Sequence, residues 1–138
     1  MPKTKQVNWQ PISQMSLIAS MINDSLNDTR EHFGTLTKAK DRPHVLDDAT
    51  IDRVEQAHTE QMNYVEIYTQ QISRWRKEKP SAAQASELDR MDKQNQQLRA
   101  LTADVLALAS ELREGTIERV LGMSDLELGL RYLLGKQP

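Results

Sequence analysis

The chain has 138 residues, 28% of them charged, with a formal net charge of −2 and no cysteine. This length fits one domain. The mixed charges supply no cationic face of the kind that binds nucleic acid, and without cysteine there is no disulfide, thiolate metal site or cysteine nucleophile. Aromatics at 4% and only five glycines argue against an all-β fold and against glycine-rich phosphate loops.

The segment Met1 to Trp9 holds two lysines but no apolar stretch, unlike a secretory signal with its apolar region. The longest apolar run, Val105 to Ala109, falls far short of the roughly 20 residues a membrane span needs. The expectation is a cytoplasmic protein with no membrane partner. Gln, Glu, Ala, Leu, Lys and Arg dominate, and all are good helix formers. Residues 1–10 are expected to be a flexible N-terminus to a single helical domain spanning 1–138.

In chain order, the first helix is predicted over about 11–40, with Met15, Ile18, Ile22, Leu26, Phe33 and Leu36 on one face and Thr29 between them. It ends before Pro43, which disfavours helix for the residue before it. Asp47 and Asp48 suit the start of a new helix. The second helix, about 48–79, carries Ile51, Val54, His58, Met62, Val65, Tyr68, Ile72 and Trp75 as its stripe. Pro80 ends it. Ser81 with Gln84 then reads as a capping box, in which two side chains satisfy each other's orphan backbone amides.

The third helix, about 81–121, keeps a three–four spacing through Leu88, Met91, Asn95, Leu98, Thr102, Val105, Ala109, Leu112 and Thr116. This is the coiled-coil periodicity. Leu101, Leu106 and Leu108 widen its apolar arc, so it is expected to touch two other helices. After Gly122, Ser124 with Glu127 forms a second capping box. It starts a short fourth helix over 124–134, dense in leucine.

The fold class expected is therefore all-α: an antiparallel bundle of three long helices with a short fourth C-terminal helix. Short turns make successive helices antiparallel neighbours. Folding the chain at the two turns sets His32 level with about Gln56, and Leu112 level with Asp48. Residues beyond about 113 then overhang the first turn. Either the fourth helix or a second chain must cover that overhang.

The candidate chemistry is sparse. Glu55 and His58 make a Glu-x-x-His pair of the sort found in di-iron helical bundles, and Asp28 and His32 fall at the same level. Against a metal centre, the motif occurs once and Glu55 points away from the core face. These four residues are candidates for an alternative, metal-dependent reading, with no metal or other cofactor expected. Serines occur in no nucleophile motif, and His44 reads as a turn residue, so an enzyme is not expected. Arg74-Trp75-Arg76-Lys77-Glu78-Lys79 is the densest basic cluster and a weaker alternative, for nucleic acid through a stacked Trp75. Cations at a helix C-terminus also suit the helix dipole, and Trp9 is expected to join Trp75 as an aromatic plug. Asn95, Thr102 and Thr116 are expected to fix helix register, as buried polar groups in such seams do.

The functional expectation is a non-enzymatic protein–protein interaction module such as an adaptor, small chaperone or regulatory subunit. Its partner is another protein or a second copy, as a homodimer or larger assembly. The residues expected to carry the contact are Ile117, Val120, Leu121, Leu126, Leu130 and Leu133.

Overall fold

The computed structural model describes residues 7–122 together with residues 127, 129, 130, 133 and 134. Regular structure among the described residues is entirely helical: α1 (Met15–Lys38), α2 (Asp48–Arg76), α3 (Ala82–Arg113) and a short α4 (Ile117–Leu121). Single 3-10 turns, Ile12–Gln14 and Ala39–Asp41, flank α1, and a third covers Pro43–Val45. No described helix is long and apolar enough to cross a membrane.

The helix starts follow their capping chemistry. Asp47 accepts the Thr50 backbone N–H at 2.7 Å, which satisfies one orphan donor of α2. Its carboxyl is held below the ordinary 3.8, first by the Thr50 side-chain hydrogen bond and then by that backbone bond. Ser81 and Gln84 form the reciprocal box at the start of α3, at 2.9 and 3.1 Å. At the other end of α2, Lys79 takes a left-handed φ of 51°, the chain reversal that usually falls to glycine.

The core lies between three helices, with α3 packed along both α1 and α2. At one end Met15, Ile22, Ile72, Trp75, Leu88 and Met91 cluster. Leu26, Val65 and Leu98 fill the middle. Leu36, Ile51, Val105, Ala109 and Leu112 close the other end. Each buried Leu, Ile, Val or Met side chain among these contributes roughly 1.5–3 kcal/mol when withdrawn from water. Every stripe residue predicted on α3, from Leu88 to Leu112, is buried, and Leu108 joins them. Between α2 and α3 the ion pairs run Arg76–Asp89, Glu66–Arg99 and Asp52–Arg113. One residue number rises along this series as the other falls.

Two polar layers interrupt the apolar core. In the first, the Gln61 side-chain amide donates to Thr29 Oγ1 and to Thr102 Oγ1, both at 2.9 Å. Each threonine hydroxyl donates to the carbonyl one turn back, Ser25 O at 2.6 Å and Leu98 O at 2.7 Å. One residue from each long helix thus meets in a closed network. In the second, Asn95 Nδ2 donates to Val65 O at 3.1 Å and to Thr69 Oγ1 at 3.0 Å.

The third helix differs from its predicted span. It ends at Arg113 rather than running to about 121. Glu114, Gly115 and Thr116 donate backbone N–H groups three residues back rather than four, tightening the last turn. The next group, the Ile117 N–H, is captured by Leu46 O at 2.7 Å. Thr116, fully buried, donates its hydroxyl to Asp48 Oδ1 at 2.7 Å. Level with Asp48 therefore stands Thr116, one turn beyond the predicted Leu112. Glycine at 115 is a poor helix former, and the backbone bond to Leu46 rewards a bend that a straight helix could not make. The expected overhang is thus replaced by α4 lying against the Pro43–Val45 turn. The fourth helix expected over 124–134 begins outside the described residues. Within it, the Leu134 N–H donates to Leu130 O at 3.0 Å.

Candidate interaction surfaces and the histidine pair

Apart from Val45 in the Pro43–Val45 turn, the large apolar side chains left in solvent among the described residues fall into two places. At the C-terminal end Leu121, Leu130, Leu133 and Leu134 are 77%, 51%, 82% and 73% exposed. Leu130, Leu133 and Leu134 are spaced i, i+3 and i+4, which puts them on one face of a helical turn. Of the other residues predicted for contact, Ile117 and Val120 are half-buried, and Leu126 lies outside the described residues. Single exposed leucines are ordinary, whereas several together on one turn are informative.

The second place is the seam between α1 and α2. Both helices lean on α3, which leaves an open groove of about 390 Å³ between them, lined by Met21, Ser25, Ala57, Glu60, Tyr64 and Tyr68 among others. Met21 and Tyr64 are exposed here, and Leu17 lies exposed one turn before Met21 on α1. Tyr64 and Tyr68 stack at a tilt, ring centroids 6.4 Å apart. Burial, and secondarily the neighbouring Tyr64, pushes the Tyr68 hydroxyl above its ordinary 10.0.

Of the four residues considered for a metal, two are brought together. His32 and His58 meet across α1 and α2 edge to face, ring centroids 5.7 Å apart. His58 is buried and its Nδ1 lies 2.8 Å from Val54 O. A carbonyl only accepts, so the neutral ring carries its proton on Nδ1 and its lone pair on Nε2. Glu55 is turned elsewhere. Its carboxylate accepts from Arg113 Nη2 at 2.6 Å and Nε at 3.2 Å. Hydrogen bonds to Glu55 first, and then to Asp52, raise the Arg113 pKa and keep it charged. Asp28 is exposed. Among the described residues no three His, Asp or Glu side chains gather as a metal-binding group.

The basic cluster is dispersed by its own contacts. Trp75 is fully buried, and its indole N–H donates to Gln10 O at 3.0 Å. It is therefore not free to stack on a base. Arg76 pairs with Asp89 at 2.7 Å and with Asp92 at 3.6 Å. Arg74 covers the Trp9 ring at 4.1 Å, so the tryptophans take different partners instead of forming one plug. The chain before α1 is docked by Gln71, whose amide accepts the Gln10 N–H at 2.8 Å and donates to Gln10 O at 3.3 Å. Glutamine 71 is buried, yet no apolar pattern singles it out. Gln61 escaped the sequence reading in the same way, because its neighbour Met62 fitted the stripe. His44 is half-buried, and its Nδ1 has no hydrogen-bond partner among the described residues.

Fold and surfaces together define an all-α protein with apolar helical surface open at one end and along one seam. No protein-family model matches the chain, no characterised protein matches it in sequence, and no solved structure matches it.

Proposed function

We propose that the chain is a helical protein–protein interaction module that associates with a second copy of itself. In this reading three long helices form an antiparallel bundle, and the C-terminal leucines of one copy pack into the α1–α2 groove of its partner. The observation that carries it is the exposure of Leu121, Leu130, Leu133 and Leu134 together at the C-terminal end. The groove is the matching feature: Leu17, Met21 and Tyr64 are the other exposed large apolar groups on the long helices. Laying the apolar face of a helix into such a groove is a recurrent recognition mode. Exchange in both directions gives a closed two-fold dimer. The role such an assembly serves is that of an adaptor, small chaperone or regulatory subunit, with no chemistry of its own.

Molar mass by light scattering across a concentration range tests the reading. The expected result is a dimer that dissociates in Leu130→Asp/Leu133→Asp and in Met21→Lys/Tyr64→Lys, with helical content kept in both. Dissociation only in the leucine variant would place leucines against leucines and remove the groove from the interface. A wild-type chain that stays monomeric at high concentration would sink self-association.

A further inference from the structure

His58 is the only histidine on the core face of a long helix, and its environment is unusually specific. Its Nδ1–H is tied to Val54 O on the preceding turn at 2.8 Å. This is the arrangement that metal-binding histidines show, where a backbone carbonyl holds one ring nitrogen and orients the other. The other nitrogen, Nε2, bears the lone pair and has no hydrogen-bond partner among the described residues. Neither nitrogen of His32, an exposed residue, has a hydrogen-bond partner among the described residues, and its neutral ring carries a lone pair on one of them.

The separation of the rings is also right. Two imidazoles bound to one ion at metal–nitrogen distances of about 2.0–2.1 Å place their ring centres roughly 5–6 Å apart. The observed centroid distance is 5.7 Å. The spacing is held from the side. Thr29 lies three residues before His32, and Gln61 three residues after His58. The Gln61–Thr29 hydrogen bond at 2.9 Å therefore ties α1 to α2 one turn from the rings.

We propose that His32 and His58 form a two-histidine site for a borderline transition-metal dication of the zinc, nickel or copper(II) class. Imidazole nitrogen suits these ions, whereas magnesium and calcium prefer oxygen. Glu55 belongs to Arg113 and not to this site. With two protein ligands, the remaining coordination positions belong to water. The bound ion bridges α1 and α2 one turn from the layer in which Gln61 joins Thr29 and Thr102. Binding therefore stabilises the folded chain, increasingly as the free ion concentration rises above its dissociation constant. The site is independent of the C-terminal leucines, so it stands or falls separately from self-association.

The test titrates ZnCl₂ and NiCl₂ into chelator-treated full-length protein, reading heat and thermal midpoint. The expected result is saturable binding near one ion per chain with a rise in midpoint. His32→Ala, at an exposed position, is expected to fold normally and weaken binding at least about tenfold. His44→Ala leaves binding unchanged. Because His58→Ala removes a buried side chain, His58→Gln serves as its companion, and loss of binding there with retained helicity is the supporting outcome. Copper(II) added to isotopically labelled protein should broaden amide signals around residues 32 and 58 first. Absence of saturable binding, or binding undiminished in His32→Ala, overturns the proposal.

Discussion

Gln61 on α2 donates its side-chain amide to the Thr102 hydroxyl on α3 at 2.9 Å, and shares that amide with Thr29 on α1. A layer of this kind restricts how the helices slide. Shifting α3 by one turn would set Thr102 and Gln61 against apolar groups and break the bond between them, leaving Gln61 only Thr29 and Thr102 only the Leu98 carbonyl of its own helix.

Gln61→Ala is expected to lower stability by about 1–3 kcal/mol, the cost of stranding buried polar partners. Replacing the layer together, as Thr29→Val, Gln61→Leu and Thr102→Val, is expected to recover most of that loss. It should also broaden the range of assemblies, since polar seam residues specify register and partner number. Urea unfolding measures the first effect and light scattering the second. A single variant as stable as wild type would show that the layer is idle.

Trp75 links the core to the segment ahead of α1 through its bond to Gln10 O. Trp75→Phe keeps an aromatic ring but removes that donor and some volume. The expected loss is about 1–3 kcal/mol from the cavity and the lost indole bond, with the Gln10 carbonyl keeping only its 3.3 Å bond from Gln71. Hydrogen exchange should quicken at residues 9–12 in this variant more than at the middle of α3. Uniform quickening would mean that the tryptophan acts only through packing.

Asp47 caps α2 as a carboxylate with a depressed pKa. For a group lowered on folding, the stabilisation is complete above the unfolded value and fades as pH falls through the folded one. Wild type should therefore melt higher than Asp47→Ala at pH 7, with the gap closing as pH drops below 3.8. Asp47→Asn, an uncharged cap of similar quality, should show a much smaller change over the same range. Thermal melts from pH 2 to 7 check the sign, and a gap that widens on acidification contradicts the cap.

Lys79 holds a left-handed backbone at φ 51° before Pro80. That conformation costs a residue with Cβ roughly 1–2 kcal/mol. Glycine escapes that cost but loses more freedom on folding. Lys79→Gly is expected to raise stability by up to about 1 kcal/mol in denaturant unfolding, leaving the Arg76–Asp89 ion pair intact. A destabilised variant would locate the loop's conformational constraint elsewhere.

Much of the helical layout was legible because local chemistry decides it. The Asp47 and Ser81 caps, the Pro80 break and the long stripe of α3 depend on neighbours within one turn. His58 was legible as a core residue, since period alone sets which face it shares with Val65 and Ile72. The destination of Glu55 was not, because Arg113 is distant in sequence and finds it only when α2 and α3 pack. Nor was the docking of Gln10 on Gln71 and Trp75, where polar side chains satisfy one backbone group from another part of the chain.

By itself the sequence determined that the chain is helical, where α1 and α2 begin and end to within a few residues, and which side of each long helix is withdrawn from water. These follow from propensity, capping and periodicity, all of which act over short stretches of backbone. Tertiary structure decided the end of α3 at Arg113, the bend that lets Ile117 bond to Leu46, the Thr29–Gln61–Thr102 layer and the meeting of His32 with His58. Each of these rests on groups far apart in sequence, whose hydrogen bonds and ring contacts exist only once the helices have found their register.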